Sequence, residues 1–133
     1  MRNLKAAIMG LGIFAGLGGA THGPGEILQG NIAPTDIMIK AWPSLTALNG
    51  EPAMTVLPNF IVAGILTIIV GLLVATWAGK FVERKTGGLE LTLLSIVMLL
   101  VGGGIIPPFF GVAAGLLCIV LNHKAAKTEP KAT

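Results

Sequence analysis

Charge is what this sequence has least of. Only 11% of its 133 residues are Asp, Glu, Lys or Arg, less than half of the roughly 25% usual in soluble domains. A soluble fold of this size could not cover its surface with so few, which excludes that class. Cysteine is almost missing too. Cys118 stands alone, so no intrachain disulfide can form. Its place deep in an apolar run suits a small buried hydrophobe. Catalytic signatures are absent in turn: there is no GxxxxGK[ST], no HExxH, no CxxC and no GxSxG. Neither a cofactor nor a metal is therefore expected. No ionisable residue falls at the middle of any predicted helix. A charge at the bilayer centre costs about 2.5–3.5 kcal/mol and tends to mark function, so this absence weighs against a proton-coupled transporter. The net charge of +3 does not indicate a nucleic-acid partner, because the basic residues adjoin apolar blocks and share no polar face.

What the sequence has instead is long apolar blocks. Phe60 to Gly79 and Leu91 to Asn122 carry no charge at all, and about 20 apolar residues match the roughly 30 Å hydrocarbon core of a bilayer. The second block is too long for one crossing, since Leu89 to Asn122 would extend about 51 Å as one helix. Near its middle, Gly102-Gly103-Gly104-Ile105-Ile106-Pro107-Pro108 must break it, and Pro107 suits the first turn of a new helix. A re-entrant hairpin that does not cross is the alternative.

The first block, about residues 4–22, follows a basic start and also fits a cleaved signal peptide. Against that reading, Gly12 and Gly16 form a GxxxG pair, and Ala15, Gly19 and Gly23 form a second small-residue row. Such rows let helix backbones approach closely in lipid. Gly64 and Gly71, and Gly111 and Gly115, extend the same expectation to later helices. Gly23-Pro24-Gly25 is expected to stop or kink the first helix. The segment that follows is cut by Pro34, Pro43, Pro52 and Pro58. Strand-like runs at 36–42 and 53–57, with Asn49-Gly50 as a turn, suggest a small hairpin.

These elements give an all-α membrane protein, a four-transmembrane-helix bundle with helices about 4–22, 59–79, 88–104 and 107–123. An extracytoplasmic cap spans 23–58, a cytoplasmic loop 80–87 and a cytoplasmic tail 124–133. With both termini inside, Arg2, Lys5, Lys80, Arg84, Lys85, Lys124, Lys127 and Lys131 all face the cytoplasm and only Lys40 lies outside, as the positive-inside rule requires. Trp77 would anchor one interface, and the expected location is the cytoplasmic (inner) membrane.

His22, Glu26 and Asp36 form the candidate polar site. An imidazole oriented by a carboxylate could bind a metal or relay a proton; an interfacial helix end with Glu26 solvated is the plainer reading. Glu90 complements a helix dipole, and the hydroxyls of Thr67, Thr92 and Ser95 can bond their own helix backbones.

The stretch Ala20-Thr21-His22-Gly23-Pro24-Gly25-Glu26-Ile27-Leu28-Gln29-Gly30-Asn31, with Gly50-Glu51-Pro52-Ala53-Met54-Thr55 and Gly102 through Pro108, resembles a small uncharacterised family of four-helix bacterial integral membrane proteins. That resemblance implies no activity. Small four-helix drug exporters carry a glutamate inside the first helix, where this chain has glycine and aliphatic residues. The expected role is a non-enzymatic assembly or accessory subunit in membrane lipid, as a homo-oligomer or with a larger membrane partner. A carrier of a lipid or small hydrophobic molecule is the alternative, and a membrane enzyme or metal site at His22 and Glu26 is a third.

Overall fold

The computed structural model describes residues 2–34, 37–39 and 53–128. It is mostly helical, in the order α1 (Arg2–Ala20), α2 (His22–Leu28), β1 (Met38–Ile39), β2 (Ala53–Met54), α3 (Phe60–Lys80), α4 (Gly87–Val101) and α5 (Ile106–Thr128). Three stretches are long and apolar enough to cross a membrane: Arg2–Leu28, Phe60–Lys80 and Ile106–Lys127. The fourth helix, α4, has 15 residues and runs about 22 Å, against about 31 Å for the 21 residues of α3.

The first helix does not stop where its proline suggested. Thr21 interrupts it for one residue, its N–H still bonding Leu17 O at 3.2 Å, and α2 carries the same rod on to Leu28. Pro24 has no N–H for the carbonyl of Ala20, so the rod loses one backbone hydrogen bond there, while the proline ring suits the first turn of α2. The rod ends at Gly30, whose φ of 87° is the left-handed conformation common just past helix ends. The cap expected over 23–58 thus gives up its first residues to helix.

Asn59 starts α3 with its side chain accepting from the N–H groups of Ile61 (2.9 Å) and Val62 (3.2 Å). Its amide also donates to Asn31 Oδ1, and Phe60 N bonds Ile32 O at 3.1 Å. The start of α3 is tied in this way to the chain just past α2. Asn59→Ala should cost about 1 kcal/mol, the usual loss for such a cap, read as a lowered unfolding midpoint in detergent.

Gly102 ends α4 three residues earlier than the sequence indicated, because its φ of 127° leaves the helical region. Gly102 and Gly103 both direct their N–H groups to Met98 O. Pro107 and Pro108 then occupy the first turn of α5, and α5 continues beyond residue 123 through the Lys124-Ala125-Ala126-Lys127 run, which favours helix. β1 and β2 pair antiparallel, Met38 opposite Met54 and Ile39 opposite Ala53; the expected Asn49-Gly50 turn and Trp42 lie outside the described residues. The chain after β2 forms a strap across the end of α4: Val56 N bonds Leu100 O at 2.9 Å and Thr55 Oγ1 donates to Val101 O at 3.2 Å. These donors satisfy carbonyls that a helix end leaves without partners.

Buried positions recur at three- and four-residue steps along each rod. On α1 and α2 they are Ile8, Gly12, Ala15, Gly16, Gly19, Gly23 and Glu26; on α3 they are Phe60, Ala63, Gly64, Thr67, Gly71, Val74 and Ala78. The large aliphatics point outward instead, among them Val62, Ile65, Ile69, Leu72, Leu73, Leu93, Leu116 and Leu117. Small residues inside and bulky ones outside is the arrangement of helices packed within lipid.

Candidate functional site

The small residues expected to pack do so between the chain's own helices. A Cβ added at Gly12 would lie 2.5 Å from Ala78 Cβ, and one at Gly16 would overlap the backbone nitrogen of Ala75. Gly64 faces the carbonyl of Gly23, and Gly71 faces Ala20 and Gly16. The first rod and α3 therefore run antiparallel with their backbones almost touching. Gly19 abuts Met98 of α4, while Gly111 meets Ser95 and Gly115 meets Thr92 and Gly88.

This packing sets the position of Glu26. It is three residues beyond Gly23 on the same buried seam, and the tight crossing at Gly23 and Gly64 delivers its side chain into the bundle. Glu26 is 5% exposed, so the solvated helix end expected for it gives way to a buried carboxyl. Thr67 of α3 is its partner, with Oγ1 3.0 Å from Glu26 Oε2. The same hydroxyl lies 3.0 Å from Val101 O, which also receives Thr55 Oγ1. Thr55 in turn accepts Leu57 N at 3.2 Å. Glu26 Oε1 is buried and has no hydrogen-bond partner. Gly102 closes over it so nearly that an added Cβ would overlap Oε1 and stand 2.5 Å from the carboxyl carbon.

A cluster of oxygens has thus formed where four segments meet: α2, α3, the end of α4 and the strap. Measured along α3, Thr67 is about 10 Å below the first residue of the helix at 1.5 Å per residue. Glu26 at that depth sits well inside the apolar part of the bundle.

Of the other candidate residues, His22 opens α2 and is half-exposed, whereas Asp36 lies outside the described residues. Among the described residues, no three His, Cys, Asp or Glu side chains gather closely enough to hold a metal ion. Thr92 and Ser95 bond their own helix at Gly88 O (2.9 Å) and Leu91 O (2.8 Å), but Thr67 does not. Thr55, Thr67 and Gly102 are the site residues that sequence reasoning missed. The seam period running through Gly19 and Gly23 was a signal that could have placed Glu26 in the interior; no local pattern points to Thr55.

At the other end of the bundle the polar groups are of a different kind. Arg2 and Lys5 open α1, Lys80 closes α3, Arg84 and Lys85 follow it, and Lys124 and Lys127 end α5. Lys5 pairs with Glu83 at 3.9 Å, Arg84 covers the Phe81 ring at 4.2 Å, and Phe81 packs on Trp77 at 4.8 Å. Thr86 Oγ1 donates to Glu90 at 3.0 Å across the first turn of α4. Cys118 is buried there, its sulfur 3.1 Å from Val82 O.

Comparison with family models, with curated proteins and with solved structures gives no match for the chain.

Proposed function

We propose that the chain is a four-span integral protein of the bacterial cytoplasmic membrane, with both termini in the cytoplasm, serving as a non-enzymatic assembly or accessory subunit. The observation that carries this reading is the division between a closed interior and an apolar exterior. Helix backbones meet at Gly12, Gly16, Gly64 and Gly71, where a hydrophobic ligand would otherwise lie, so the carrier reading has less support. For a metal centre on His22, no group of three His, Cys, Asp or Glu side chains forms among the described residues. Bulky aliphatics on the outer faces suit lipid or a partner helix.

The glycine rows are occupied within the chain, which moves the expected partner contact elsewhere. Gly10 has open space above it, and Phe14 packs edge-on to Phe110, which meets Phe109 likewise, both pairs at 5.9 Å. This aromatic patch of α1 and α5 is the face on which a second copy or a larger membrane protein would seat. The seven basic residues at one end favour the cytoplasmic orientation of that end.

Native mass spectrometry from mild detergent tests the role: a discrete oligomer or a protein adduct supports it, and a strictly monomeric, partner-free chain overturns it. Topology is tested with single cysteines in a Cys118→Ala background. In intact cells, an impermeant thiol reagent should label Ile32→Cys and spare Lys127→Cys; the reverse pattern, or labelling of both, would refute the orientation.

A further inference from the structure

Among the described residues, the oxygens around Glu26 lack a counter-charge. The carboxyl has two oxygens and one neighbouring donor, Thr67, whose single hydrogen is within reach of both Glu26 Oε2 and Val101 O. Oε1 has no partner. The other polar atoms of the cluster are Val101 O and Thr55 Oγ1, and Val101 ends α4, where a helix dipole adds negative potential. Apart from the shared Thr67 hydroxyl hydrogen, a bare carboxylate would face oxygens of its own sign, in a setting where an unpaired charge is costly.

Among the described residues, no ionisable side chain on the packed elements is placed to offset this. His22 is one turn earlier on the same rod and half-exposed, while Arg2 and Lys5 are at its far end. The ionisable residue of α3 is Lys80, that of α4 is Glu90, and those of α5 are Cys118, His123, Lys124 and Lys127, all toward the basic end. The strap from Ala53 to Asn59 has none.

We propose that Glu26 anchors a binding site for one monovalent cation, H⁺ or Na⁺, held with Thr67, Thr55 and the carbonyl of Val101. Both ions supply the missing positive charge, and helix-end carbonyls with carboxylates and hydroxyls are a recurrent setting for either in membrane bundles. A proton on Oε2 lets Glu26 donate to Thr67, freeing the threonine hydrogen for Val101 O. Sodium would instead take the carboxylate, hydroxyl and carbonyl oxygens as ligands. Either ion couples the carboxyl to the strap, because Val101 O is shared by Thr67 and Thr55.

The test uses the full chain in detergent, so that membrane topology does not enter. Dicyclohexylcarbodiimide adds to protonated carboxyls in apolar surroundings, and the adduct is read by intact mass and located by peptide mapping. Wild type should be labelled at Glu26, and Glu26→Gln should lose that adduct. A proton site shows a labelling rate whose fall approaches about tenfold per pH unit once the proton leaves, with no effect of Na⁺. A sodium site shows protection by NaCl but not by choline chloride at constant pH. Thr67→Val should keep the adduct while shifting the pH midpoint or the protecting Na⁺ concentration. Failure to label Glu26 in folded protein overturns the proposal, as does labelling indifferent to Na⁺ whose pH profile equals that of a free carboxylic acid in the same detergent.

Discussion

Gly16→Leu should yield no stably folded protein in detergent, while Gly10→Leu on the same helix should unfold no earlier than wild type. Both changes raise helix propensity and hydrophobicity equally, so the contrast isolates packing. At Gly16 a Cβ alone would overlap the Ala75 nitrogen and lie 2.5 Å from Gly71 O. Those are backbone atoms of α3, which cannot rotate away as a side-chain end could. Accommodating leucine requires α1 and α3 to separate, which would also open the contacts of Gly12 with Ala78 and of Gly23 with Gly64. Overpacking of a core commonly costs about 1–3 kcal/mol, and here the loss extends along a whole seam. Circular dichroism and size-exclusion profiles of the two variants check the expectation. A well-folded Gly16→Leu would mean that the first rod does not pack on α3 through this face.

Gly102→Ala should be the most damaging single methyl in the α4–α5 turn. Two effects act on it together. The φ of 127° is unfavourable for any residue with a Cβ, and such backbone strain costs of order 1–3 kcal/mol. The added methyl would also strike the Glu26 carboxyl. Gly30→Ala provides the reference, since Gly30 has a φ of 87° with nothing within 4 Å of an added Cβ. The difference in unfolding midpoint between the two alanine variants therefore reports the steric contact with Glu26. It should shrink when Glu26→Ala is added to both; if it does not, Gly102 and Glu26 are not in contact.

Much of the helical architecture was legible because it follows from hydropathy and length. Phe60 to Gly79 carries no charge, and the Gly-Gly-Gly and Pro-Pro runs leave few ways to divide the last block. The small-residue rows were legible for a similar reason, since three- and four-residue spacing places them on one helix face. The end of the first helix was not. Gly23-Pro24-Gly25 reads locally as a stop, whereas in an apolar setting backbone groups must find partners inside the chain, and continuing the helix forgoes only the bond that Pro24 cannot donate to the Ala20 carbonyl. That extension carried Glu26 from an expected solvated end into the core. Thr67 was obscured by the same error, because a hydroxyl with no visible partner is assigned to its own backbone. Thr55 and Val101 meet only through the strap, a contact between residues 46 positions apart that no local pattern encodes.

The glycine seams have one more consequence, for how this chain tolerates change. In most proteins the interior is specified by the shapes of large side chains, and the exterior accepts nearly anything polar. Here the helix crossings are specified by the lack of side chains, around a small core of Ile8, Val74, Leu91 and Met98, and the exterior by apolarity without shape. Saturation substitution should accordingly give an inverted map. Leu72, Leu73, Leu93 and Leu116 should exchange freely among aliphatics, while Gly16, Gly64 and Gly71 should admit nothing larger than hydrogen. The information that distinguishes this fold from any other string of apolar residues is carried by its smallest letters.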